Sequence, residues 1–106
     1  MEKINGLTDD ELIEAVNTWT GYGSNFMPSL NGIAEMNKKY GAHKAAEIIP
    51  YIIFLEKIFY QSNAKYDANS PSELIKLSIK DFVDKMPEIP IKVAEAFAWC
   101  YSFDNK

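Results

Sequence analysis

The sequence contains no arginine: all eleven of its basic residues are lysine, set against fifteen acids, for a net charge of −4. Base readout in DNA leans on bidentate arginine, and backbone affinity on clustered cations. Here the lysines are scattered and the longest basic run is Lys38-Lys39. These features argue against a nucleic-acid partner. Histidine and cysteine occur once each, as His43 and Cys100. A single cysteine forms no internal disulfide, and one Cys with one His falls short of the roughly four ligands of a zinc site. No Glu stands three residues before His43, as a di-iron bundle requires. The EF-hand pattern, glycine-rich phosphate loops and Gly-x-Ser-x-Gly are also missing. The expectation is a chain with no metal, no cofactor and no catalytic residues. Long apolar runs are missing too. The longest, Ile48 to Leu55, contains Pro50 and is far shorter than the ~20 residues of a membrane span. Met1-Glu2-Lys3-Ile4-Asn5-Gly6 has no apolar leader core, so cytoplasmic residence is expected, with which one reduced cysteine agrees.

What is present suits one core. The chain has 106 residues, of which 47% are apolar, enough to fill a single domain spanning 1–106 but not two. The periodicity is helical throughout. Thr8-Asp9-Asp10-Glu11 reads as a capping box, and Leu7 with Leu12 as a hydrophobic staple. Leu12, Ile13, Val16 and Trp19 form the inner stripe, which Gly21 and Gly23 end. A second helix is expected from Pro28, at a first-turn position, to Tyr40, with Leu30, Ile33 and Ala34 on one face and Gly41 closing it. Residues 42–60 form the most apolar helix, with Ile48, Ile52, Leu55 and Phe59 aligned, and Pro50 either kinks or splits it. Tyr51 to Leu55 is β-prone, but no second strand exists to pair with it.

Residues 61–70 are polar and read as the longest loop. Ser70-Pro71-Ser72-Glu73 is a second capping box and opens a helix to Met86, with Lys80 and Asp84 paired at i,i+4. A last helix, from Pro90 to Ser102, turns Ile91, Ala94, Phe97, Ala98 and Tyr101 inward and leaves Val93, Trp99 and Cys100 off the stripe. The fold class is all-α: an irregular compact bundle of five or six helices.

Several residues are candidates for contact with a partner. Asp9, Asp10 and Glu11 are explained by the helix dipole, whereas Glu14 is not. The four acids together also read as a negative face for a basic partner, with Asp10 and Glu14 as its contact candidates. Tyr22 lies between two glycines, and an aromatic on such a loop is a good anchor. Phe26 and Met27, which follow it, are expected to tuck under the core. Tyr66 and Asp67 stand in the long polar loop. Cys100 reads as a small buried hydrophobe and His43 as a surface residue. An enzyme built on Glu35 or Glu47 with Tyr40 or His43 would need an enclosing pocket.

Taken together, the acids at Asp9, Asp10, Glu11, Glu14, Asp67, Asp81 and Asp84, with Tyr22 and Tyr66 on loops, give a profile similar to one class of protein. It resembles the small acidic all-helical immunity proteins of bacterial toxin systems, including contact-dependent inhibition. The resemblance covers the whole chain as a profile and carries no shared motif. It implies a non-enzymatic protein that neutralises a basic toxin domain, a nuclease whose cleft attracts acids, by occluding its active site. The partner-binding residues expected are Asp10, Glu14, Tyr22, Tyr66 and Asp67. The rival readings are a phage- or host-derived anti-defence inhibitor and a helical homodimer with its seam at Trp99 and Tyr101.

Overall fold

Helix α1 (Asp9–Thr20) begins at the expected capping box. The Thr8 amide donates to Glu11 Oε1 at 3.0 Å and the Glu11 amide donates to Thr8 Oγ1 at 3.2 Å. The Thr8 amide first, and then the Thr8 hydroxyl, hold the Glu11 carboxyl below its ordinary range. The helix ends at Gly21, whose φ of 84° is the left-handed conformation that glycine adopts without strain. The computed structural model describes residues 7–104. The leaderless start read at Met1–Gly6 lies outside them.

Five more helical segments follow: α2 (Gly32–Tyr40), α3 (Ala42–Tyr60), α4 (Ala64–Asp67), α5 (Pro71–Lys85) and α6 (Ile91–Asp104). The fold is all-α, and no strand occurs among the described residues. Residues 51–55 are helical, like their neighbours.

Three local expectations are corrected, and one left open, at Pro50, is decided. First, α2 starts at Gly32 and not at Pro28, because the Asn31 side chain caps it by accepting from the Ala34 amide at 3.2 Å. Its inner face is carried by Met36, while Leu30, Ile33 and Ala34 are exposed. Second, Pro50 does not split α3, which runs unbroken for 19 residues. Pro50 itself is exposed, and buried side chains on both sides of it, Ala45 and Ile48 before, Ile52 and Leu55 after, hold the helix to the core. Third, only half of the second capping box forms. The Ser70 hydroxyl accepts from the Glu73 amide, but the Glu73 carboxylate takes the amide of Asn69, not that of Ser70. Fourth, the polar loop contains α4. The turn before it is fixed by Ser62, whose hydroxyl donates to Asp81 at 2.6 Å and accepts from the Ala64 amide at 3.1 Å.

The most enclosed helix is α6, which packs on α5, α1 and α3. Val93, Ala94, Ala96, Phe97, Ala98, Cys100 and Tyr101 are all buried. Val93 and Cys100 are thus covered despite lying off the expected stripe, and Ile91, which was expected inward, is exposed. A helix apolar on most sides belongs at the centre of the bundle. Phe59 of α3 meets Phe82, Phe97 and Tyr101 at ring centroid distances of 5.6, 5.8 and 5.7 Å, which joins α3, α5 and α6 in one aromatic cluster.

Helix α2 packs on α3 and α1, and its first residue is held close to Trp19. A Cβ on Gly32 would lie 2.7 Å from the Trp19 carbonyl oxygen and 2.8 Å from its ring. Glycine-to-alanine changes in helices usually stabilise. Here overpacking dominates, and Gly32→Ala is expected to cost about 1–3 kcal/mol in urea unfolding. A more stable variant would contradict the close approach.

Candidate functional site

The connection between α1 and α2 is pinned by backbone bonds. The Ser29 amide donates to the Thr20 carbonyl at 2.8 Å, which returns the chain to the end of α1. The amides of Ser24 and Asn25 donate to the Gly21 carbonyl, and the Asn31 amide donates to the Ser29 hydroxyl. On this tied backbone the apolar side chains face water: Phe26 is 100% exposed, Met27 64%, Leu30 103% and Ile33 55%. Five of the seven large hydrophobic residues exposed among the described residues are these four and Tyr60, which lines the same groove as Leu30. Single exposed hydrophobes are ordinary. A concentration of them beside a concave surface marks a binding site.

The groove consists of two adjoining hollows of about 310 and 510 Å³ that share Ser29, Leu30, Glu56 and Cys100. Trp19 and Ile33 wall the inner hollow; Pro28, Tyr60 and Asp104 wall the outer one. Two carboxylates face it, each held by an aromatic donor. The Trp19 indole donates to Glu56 Oε2 at 3.2 Å, and the Tyr60 hydroxyl donates to Asp104 Oδ2 at 2.6 Å. Burial pushes the Glu56 carboxyl above its usual range, and Asp104 adds to the rise. Burial also pushes up the Tyr60 phenol, with Asp104 contributing. The Cys100 thiol is pushed up to about 12 by burial first, then by Glu56 and Asp104.

Two predictions arise from these shifts. A thiol with a pKa of about 12 is almost wholly protonated at pH 8, and only the thiolate reacts. Cys100 is expected to resist a disulfide reagent at pH 8 in the folded state and to react promptly in urea. Equal rates in both states would contradict this. Glu56 binds its proton more tightly folded than unfolded, so stability falls as pH rises from the unfolded carboxyl range through the raised folded one. Glu56→Gln removes that cost. Its melting temperature relative to the parent chain should be higher at pH 7 than at pH 4, and a relative decrease would contradict the desolvation argument.

The residues expected to contact a partner are spread over other faces. Asp10 is exposed in the first turn of α1. Glu14 is ion-paired with Lys39 and so ties α1 to α2, a surface pair of small energetic value. Tyr22 is half-buried, its ring 5.6 Å from that of Trp99. Glu14 and Tyr22 do line one shallow hollow together with Lys39. Tyr66 is 75% exposed on α4, with Lys65 Nζ 5.3 Å from its ring centroid, and Asp67 is exposed beside it. Neither lines the groove. Phe26, expected under the core, is fully exposed.

Trp99 is half-buried against Tyr22 and Phe103, and Tyr101 is buried. His43 stands in solvent 3.5 Å from Glu47 and has no enclosing walls. Among the described residues, no three of His, Cys, Asp and Glu converge as a metal site needs, and no helix is long and apolar enough to cross a membrane.

The sequence signal for the groove was weak. Phe26, Met27, Leu30 and Ile33 fall within one short glycine- and proline-bounded stretch, and that clustering was the available clue. Comparison of the chain with protein-family models finds no match, and the same holds for the curated proteins and for the solved structures.

Proposed function

We propose that the chain is a non-enzymatic binding protein: an immunity protein that neutralises a basic toxin domain by covering its active site, with the segment Phe26–Ile33 as its anchor. The observation that carries this reading is the run of large apolar side chains held in water on a hydrogen-bonded backbone. Full burial of one Leu or Phe contributes about 1.5–3 kcal/mol, so two or three anchors of this kind supply most of the hot-spot energy of an ordinary interface. The net charge of −4 favours a basic partner and steers the encounter. Without arginine, the interface anchors are apolar, aromatic or acidic, which is what this face offers.

The experiment is co-expression with the product of the neighbouring reading frame in its genome. Growth arrest by that product alone, relieved when this chain is present, supports the reading. Arrest that persists with the chain present at equal level counts against it.

A further inference from the structure

The groove beside the anchor segment combines an apolar wall with two carboxylates that form no ion pair with any described residue. Glu56 and Asp104 each accept a hydrogen bond from a neutral aromatic donor, and neither forms an ion pair among the described residues. Lys57 lines the outer hollow, but it is exposed and bridges to neither carboxylate. The Tyr60 phenol and the Cys100 thiol stay neutral at pH 7 and add no charge of either sign. Glu56 is half-buried, and a carboxylate drawn partly out of water without a counter-ion is costly, a cost that an incoming cation recovers; Asp104 is exposed at the mouth of the groove and adds its charge there. The walls add a second requirement. Leu30, Ile33 and Trp19 present apolar surface next to the carboxylates, and a ligand that satisfies both needs an aliphatic stem ending in a cation.

We propose that this groove receives an arginine or lysine side chain of the protein partner, its stem against Leu30 and Ile33 and its cationic head paired with Glu56 and Asp104. The proposal rests on the reading of the chain as a protein-binding domain, and it specifies that reading: the basic partner inserts one cation here. It also explains why the exposed apolar segment stands beside an uncompensated acidic groove.

A small cation tests the groove without any partner. The full chain, labelled with ¹⁵N, is titrated with butylguanidinium at pH 7 and low salt. The Trp19 indole N–H donates to Glu56 and therefore reports directly on the site, while the Trp99 indole, which does not line the groove, serves as reference. The expected result is a saturable shift of the Trp19 signal alone. Glu56→Gln and Asp104→Asn should each weaken binding about tenfold, the size of one charge-assisted hydrogen bond. Butanol, with the same stem and no charge, should give no saturable shift. An unmoved Trp19 signal, equal binding of butanol, or unchanged affinity in both variants would overturn the proposal. A shift on concentrating the protein with no probe would assign the groove to a second copy of the chain and overturn it too. Because no toxin is involved, failure here is distinct from failure of the co-expression experiment, which tests the parent reading alone.

Discussion

Phe59→Ala should bring the domain close to unfolding. The Phe59 ring is buried and packs against Phe82, Phe97 and Tyr101, so its removal opens a cavity where three helices meet. Large-to-small changes of a buried phenylalanine cost about 3–5 kcal/mol, and the lost aromatic pairs add to the cavity term. A domain of this size has a total stability of roughly 5–15 kcal/mol, so the loss is a large share of the whole. Urea unfolding measures it: the midpoint falls steeply while the slope is kept. A loss below about 1 kcal/mol would mean that the three helices close over the gap, contrary to the rigid packing of such interiors.

The second large effect is on binding and leaves folding alone. Phe26→Ser with Leu30→Ser removes two side chains that are fully exposed and bury nothing in the folded chain. The bonds that tie their segment, from the Ser29 amide to Thr20 and from the Asn25 amide to Gly21, are backbone bonds and survive the change. Stability should stay within about 0.5 kcal/mol of the parent, as for ordinary surface substitutions. Partner affinity should fall by about a hundredfold or more, since each anchor contributes roughly 2 kcal/mol when buried in an interface. The combination of unchanged unfolding and lost binding separates a docking surface from a structural element. Loss of stability without loss of binding would invert the assignment.

The two effects differ in how far the sequence revealed them. The core follows from local patterns. Ile48, Ile52, Leu55 and Phe59 repeat at helical spacing and are all buried. Thr8 and Ser70 start helices because their side chains and those of their neighbours satisfy free amides within one turn. The anchor segment follows from no local pattern. Pro28 looked like a first-turn residue, and a helix starting there would turn Leu30 inward. The path is set instead by a backbone bond from Ser29 to Thr20, nine positions back, and by the fit of Gly32 against Trp19. Periodicity treats an apolar residue as a buried one, so it misses the apolar residues that a tertiary contact holds in water.

The burial of α6 was read only in part: Ala94, Phe97, Ala98, Cys100 and Tyr101 are buried as expected, whereas Val93 and Ala96 are buried without having been placed on the inner stripe. A single stripe was read where neighbours cover several faces, and a fully surrounded helix shows little amphipathic contrast. Of the expected contact residues, Glu14 and Tyr22 lie together on one shallow hollow but are engaged within the chain, by Lys39 and Trp99. Glu56 stood unremarked in the most apolar helix, since a lone acid on an apolar helix looks like its solvent edge. Only the fold brings Asp104 and Leu30 beside it.

The most direct test compares the parent chain with the Phe26→Ser/Leu30→Ser variant in cells that express the product of the neighbouring reading frame. Growth is the readout, with both proteins folded and present at equal level. The account predicts that the parent chain restores growth and that the double variant does not. Equal protection by the two would contradict the proposal that residues 26–33 are the surface that binds a toxin.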